Sequence, residues 1–121
     1  MIVVDANIWI DHFRIADLRL ARLASRRLAF IHPYTIAEVM LGSFGNRQLV
    51  FEELSAFPTV PVAEHHEVLH LIERREVFGT GIGYVDCHLL ASVLMSVGGK
   101  LWTRDKRLFK QAERLGVAYQ P

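Results

Sequence analysis

Four carboxylates stand where a folding chain rarely places a charge without reason. Asp5 follows the β-branched run Ile2-Val3-Val4, and Glu38 lies inside the apolar stretch Ile36-Ala37-Glu38-Val39-Met40. Asp86 opens a segment that continues through Leu89 and Leu90, and Asp105 follows Leu101-Trp102-Thr103 by way of Arg104. A buried carboxylate needs a partner. Several in one place repel each other unless a proton or a cation lies between them. Oxygen-only donors suit magnesium or manganese, held by few carboxylates with several waters retained. One or two such ions could activate water and stabilise the leaving oxygen of a phosphodiester. A site this negative accepts a phosphate only with a cation in place, so metal dependence is the sharper expectation.

Each acid also has a plainer reading. Asp5 and Asp105 could simply cap the helices that follow them. Asp86 could be a first-turn carboxylate favoured by the helix dipole. Glu38 could be paired with an arginine. What weighs against four separate explanations is the order of the elements that carry them.

Short strands alternate with helices along the chain. Ile2 to Val4 read as a strand covered on both faces. Ile8, Trp9 and Phe13 have helical spacing, with Asn7 as a candidate cap. A second helix is expected over Asp17 to Arg27 and a second strand over Leu28 to Ile31. Helices follow over Thr35–Leu41 and Arg47–Phe57, then an extended, proline-flanked edge over Pro58–Val62. Glu64 to Phe78 reads as a helix with Val68, Leu69, Ile72 and Val77 inward. Gly79, Gly81 and Gly83 make a turn before the most apolar helix, Tyr84 to Val97. Lys100–Thr103 is a strand, Asp105–Leu115 a helix and Gly116–Tyr119 a last short strand. No hairpin signal interrupts the series. The expectation is an α/β fold, a three-layer domain with a mostly parallel central sheet flanked by helices. Right-handed crossovers then bring the strand ends, and with them Asp5 and Asp105, to one edge.

The 121 residues are enough for one such domain. The composition is 51% hydrophobic and 22% charged, which excludes a disordered chain. A net charge of +1 does not by itself announce a nucleic-acid binder, although eleven of the fourteen basic residues are arginine, the better phosphate fork. Cys87 is the lone cysteine, so no internal disulfide forms and a reducing cytoplasm is expected. No apolar run is long enough to read as a membrane helix. No leader is expected ahead of a strand that starts at residue 2.

The segments Ile2-Val3-Val4-Asp5-Ala6-Asn7-Ile8-Trp9-Ile10, Ile36-Ala37-Glu38-Val39, Gly83 through Ala91, and Leu101 through Phe109 occur in an order that resembles a PIN domain. More narrowly, they resemble the ribonuclease toxin of a VapBC-type toxin–antitoxin pair. The resemblance runs nearly end to end and implies a single PIN-like domain over residues 1–121. It places the family's acidic residues on Asp5, Glu38, Asp86 and Asp105, its first polar residue on Asn7 and its hydroxyl on Thr103. It implies RNA cleavage dependent on Mg²⁺ or Mn²⁺, a homodimer, and inhibition by a small antitoxin encoded beside the toxin. A non-catalytic PIN-like scaffold that binds RNA or protein is the alternative. The complete acidic set disfavours it. A receiver domain would need adjacent acids after the first strand, and a haloacid-type phosphatase an aspartate where Asn7 stands.

Within this scheme Asp5, Asp86 and Asp105 are candidate metal ligands, and Glu38 a ligand or the residue that orients the attacking water. Asn7 and Thr103 can give hydrogen bonds but no charge. Cleavage through metal-activated water leaves a 5′-phosphate and a 3′-hydroxyl. Attack by the RNA 2′-hydroxyl would instead want a general base, often histidine. Arg14, Arg104, Lys106 and Arg107 are candidate RNA contacts, with Lys110 beside them. His66 and His70 are one helical turn apart but lack a third ligand of the kind zinc needs. His12, His32 and His88 show no partner in the sequence. Trp9, Phe13, Trp102 and Phe109 read chiefly as packing residues, Trp9 bordering the cleft.

Overall fold

The central strand is the one that begins the chain. In the computed structural model, which describes residues 1–121, β1 (Ile2–Val4) lies between β2 (Ala29–Phe30) and β3 (Lys100–Trp102), parallel to both. Val3 faces one apolar cluster with Val68, Leu89, Leu90 and Leu101. Ile2 and Val4 face the other, with Ile8, Trp9, Leu54 and Trp102. A strand buried on both faces has no polar side to show, hence the unbroken Ile-Val-Val.

Seven helices cover these faces: α1 (Ala6–Arg14), α2 (Leu18–Ser25), α3 (Pro33–Met40), α4 (Arg47–Ser55), α5 (His65–Arg74), α6 (Tyr84–Leu94) and α7 (Lys106–Arg114). The first four contribute to the cluster around Trp9, and the last three to the cluster around Leu89. The expected three-layer α/β arrangement with a parallel sheet is therefore found. None of the helices is long and apolar enough to cross a membrane.

Several boundaries differ from the sequence reading. Asp5, not Asn7, caps α1, its side chain accepting from the Ala6 N–H at 2.7 Å. Leu71 rather than Leu69 turns inward from α5; Leu69 is 49% exposed. The outer expected strands shrink to single parallel bridges, Ile31 with Thr59 and Leu101 with Ala118. Proline on both sides of Thr59-Val60 removes the N–H groups that would extend the first of these.

Candidate active site

Asp5 is where strand geometry ends and helix geometry begins. Its N–H still extends the sheet ladder, donating to the Trp102 carbonyl at 2.9 Å. Its carboxylate, 6% exposed, then caps α1. Oδ1 accepts from Ala6 N, and Oδ2 accepts from Thr103 Oγ1 at 2.7 Å and Asn7 Nδ2 at 3.2 Å. Burial nevertheless holds this carboxyl above its ordinary pKa. The Thr103 and Ala6 hydrogen bonds pull it down, and the charges of Asp86 and Asp105 push it further up.

Thr103, also buried, joins two of the carboxylate-bearing segments. Its hydroxyl donates to Asp5 and accepts from the Asp105 N–H at 3.0 Å. Asp105 is exposed and caps α7, with Oδ1 accepting from Arg107 N at 2.9 Å and Leu108 N at 3.0 Å. Asp86, in the first turn of α6, accepts from Gly83 N at 3.0 Å through Oδ2. Burial raises its pKa, the Gly83 bond opposes this, and Asp105 adds to it. Glu38 projects from the second turn of α3 and is partly exposed rather than enclosed. Its pKa is raised by burial first, then by Asp5 and Asp86.

The cap readings of Asp5 and Asp105 are thus both true, and the charge of Asp105 also reaches Asp5 and Asp86. That coupling is the informative observation. The ion pairs of the protein involve Asp11, Asp17 and Glu64, and none involves Asp5, Glu38, Asp86 or Asp105. The arginine partner that would have explained Glu38 structurally is absent. The donor chemistry, all carboxylate oxygen without a protein cation among it, fits a hard divalent ion. It is not a finished cage, because no three His, Cys, Asp or Glu side chains are grouped closely enough to hold a metal ion. A magnesium-like ion held by one or two carboxylates and several waters does not require one.

Around the acids, the candidate RNA contacts separate. The Arg104 N–H donates to Asn7 Oδ1 at 3.1 Å, which fixes the amide that reaches Asp5. Its guanidinium, however, is held by Asp11 and by Asp17 at 3.1 Å. Arg14 is exposed beside this group, in a depression of about 550 Å³ that Asp11, Asp17 and Arg104 also line. Lys106 and Arg107 are exposed on the first turn of α7, next to Asp105. Arg107 lies across the glycine turn: a Cβ at Gly81, whose φ is +86°, would stand 3.0 Å from Arg107 Cδ. Only glycine accommodates that φ and that approach together.

The largest depression, about 680 Å³ between α5 and α6, is lined by His66, His70, Arg74 and Met95 among others, and by none of the four acids. The acids lie apart from it, at the ends of β1 and β3 and on the neighbouring helices α3 and α6. Trp9 does not border the acids, being fully buried with Nε1 donating to Val4 O at 2.9 Å. Cys87 is buried as expected. His32 and His88 do have a neighbourhood that the sequence did not reveal. They pack at 5.7 Å between ring centroids, with Tyr34 and Tyr84 against His88. Tyr34 precedes Glu38 by four residues and Tyr84 precedes His88 by four, a spacing that could have flagged both tyrosines.

Comparison with known proteins agrees with this arrangement. A family model described as "PIN domain" matches residues 2–115. The chain is 46% identical over 118 residues to "Ribonuclease VapC32" of Mycobacterium tuberculosis, in strains CDC 1551 / Oshkosh and ATCC 25618 / H37Rv. The match covers 98% of this chain and 95% of each relative. Among solved structures, PAE2754 from Pyrobaculum aerophilum shares the fold with a TM-score of 0.69 at 19% identity, over 98% of this chain and 87% of that one. A central parallel sheet with a buried, strand-end carboxylate, matched over nearly the whole chain, places this protein in the PIN-domain family.

Proposed function

We propose that this chain is a metal-dependent endoribonuclease, the toxin of a type II toxin–antitoxin pair, folded as a single PIN-like unit. It is taken to act in the reducing cytoplasm, to assemble as a homodimer and to be restrained by a small cognate antitoxin. The observation that carries the reading is that Asp5, Glu38 and Asp86 each lie within reach of other acids of the set, Asp105 included, while none of the four is paired with a protein cation. It stands in a chain 46% identical to a ribonuclease over almost its full length.

Asp5, Asp86 and Asp105 would hold Mg²⁺ or Mn²⁺, with Glu38 as a further ligand or the residue that orients the attacking water. Bound there, the ion lowers the pKa of water and offsets charge on the phosphodiester. Asp5 is the fixed point, since strand end, helix cap and two side-chain donors all hold it. Thr103 and Asn7 orient its Oδ2. Glu38, whose pKa is raised by burial and by the charges of Asp5 and Asp86, suits acceptance of the proton that water loses on attack. Oxygen–phosphorus bond formation then breaks P–O3′, and the O3′ oxygen takes up a proton.

The test is cleavage of total RNA by the wild type and Asp5→Asn, with Mg²⁺, with Mn²⁺ and in a chelator, followed by mapping of the new ends. The expected result is metal-dependent cuts bearing 5′-phosphates, lost in Asp5→Asn. Equal cleavage by both proteins, or activity unchanged by the chelator, would overturn the mechanism. The lack of a ready-made metal cage favours one competing reading, a PIN-like scaffold that binds RNA or protein without cutting. RNA binding with no cleavage under any metal would select it.

A further inference from the structure

The seam between α3 and α6 carries aromatic rings as well as acids. Tyr34 and Glu38 lie one turn apart on α3, and Tyr84 and His88 one turn apart on α6, so each pair shares a helix edge. The two edges meet at His88, whose ring centroid is 4.8 Å from that of Tyr34 and 4.7 Å from that of Tyr84. Both contacts are edge-on. His88 is 1% exposed, and His32 packs behind it.

The tyrosines themselves are open, Tyr34 at 41% and Tyr84 at 45% exposure. Tyr84 is further fixed by its hydroxyl, 2.7 Å from His65 Nδ1. Both ring nitrogens of His88, Nε2 of His32 and Oγ1 of Thr35 have no hydrogen-bond partner in the protein. Buried polar atoms are ordinarily satisfied, so the seam holds hydrogen-bonding capacity that the fold leaves unused. A tyrosine that served only the core would be covered. These two are propped by a buried imidazole and face solvent, which removes much of the ordering cost of a contact.

We propose that Tyr34 and Tyr84 form a stacking platform for an unpaired RNA nucleotide beside the acidic site. The proposal rests on the ribonuclease reading above. Glu38 and Asp86 ride on the same two helices, and the charge of Asp86 reaches Glu38. An acidic centre repels a phosphate backbone, and lysine or arginine placed among the acids would pair with them in place of a metal ion. Aromatic faces hold RNA without either difficulty. They accept any base, provided it is unstacked, and so select single-stranded over paired RNA.

The test is equilibrium binding, not turnover. The full chain carrying Asp5→Asn, with Mg²⁺ present, is titrated against a fluorescein-labelled oligoadenylate about a dozen nucleotides long. A matching abasic strand serves as the second probe. Tyr34→Ala and Tyr84→Ala should each weaken oligoadenylate binding by about 5- to 100-fold. Tyr34→Phe, Tyr84→Phe and Tyr84→Trp should stay close to the parent. The abasic strand should bind all variants alike. Unchanged oligoadenylate affinity in the alanine variants would overturn the proposal while leaving metal-dependent cleavage by the wild type intact. Equal weakening for both probes would overturn it as well, as would alanine variants that dissociate a dimer in sedimentation, which would mark a protein interface. No RNA binding by the parent, together with no cleavage by the wild type, would remove the ribonuclease reading and this one with it.

Discussion

Valine at position 103 would keep the shape of threonine and delete one hydroxyl. That hydroxyl donates to Asp5 Oδ2 at 2.7 Å and accepts from the Asp105 N–H at 3.0 Å. A hydrogen bond to an ionised group contributes about 1.5–3 kcal/mol, and a neutral one about 0.5–1.5. Asp105 is exposed, so water replaces the second bond in part, whereas Asp5 and Thr103 are both buried. Thr103→Val should therefore cost about 2–4 kcal/mol near neutral pH. The cost should depend on pH. Burial raises the folded pKa of Asp5 above its unfolded value of 3.8, and the Thr103 bond opposes that rise. Without the bond the folded pKa moves further up. In both proteins the ionised, buried Asp5 weakens folding at neutral pH, and protonation relieves this as pH falls through the folded pKa. The variant is relieved first, so the gap between the two should narrow as pH falls through the variant's and then the wild type's value. Urea unfolding of both proteins in a chelator, over a series of pH values, measures the gap. A gap under about 0.5 kcal/mol, or one of constant size through the acid range, would show that the hydroxyl only fills space. With metal present, the variant should also cleave RNA more slowly, and higher pH should restore part of the rate.

Other outcomes follow from the same structure. The His32 imidazole is pushed down to about 4 from 6.5, by burial first and then by His88 on α6. The unfolded chain therefore takes up the proton first as pH falls, and folding stability is lost between those values. His32→Asn keeps a cap for α3 but does not titrate; relative to it, the wild type should lose up to about 3 kcal/mol across that window, and a flat difference in urea midpoints would refute this. Gly79→Ala, at φ +72° in open space, should cost about 1–2 kcal/mol in thermal unfolding, whereas Gly81→Ala should cost more because its Cβ meets the Arg107 stem. Equal costs would mean that Arg107 yields freely. In RNA binding, Lys106→Ala should reduce the slope of log affinity against log salt by about 0.7, the value for one phosphate contact on a single strand. Arg104→Ala should leave that slope unchanged, since Asp11 and Asp17 already hold its guanidinium; a matching fall in slope would mean that RNA displaces both.

The three strands and their parallel arrangement were legible because each is short, apolar and closed by a recognisable stop. Ile2-Val3-Val4 before Asp5 and Leu101-Trp102-Thr103 before Asp105 needed no tertiary knowledge. Local competition was harder to read. Asp5 and Asn7 are both good caps, and the choice between them rests on where the ladder to Trp102 ends. Leu69 and Leu71 are equally apolar, and only the packing of α5 on α6 decides which one is covered.

By itself, the sequence determined an α/β chain with four carboxylates in PIN-domain order, because residue type and spacing act locally and survive without coordinates. The tertiary structure decided what those carboxylates feel. Asp5 and Thr103 are 98 residues apart, yet one hydroxyl joins them because β1 and β3 are neighbours in register. Arg104 follows Thr103 directly, yet its charge is turned toward Asp11 and Asp17. Tyr34 and Tyr84 belong to different helices and share His88 only because α3 and α6 converge. Contacts between residues distant in the chain depend on the path of the backbone, and no local pattern encodes them.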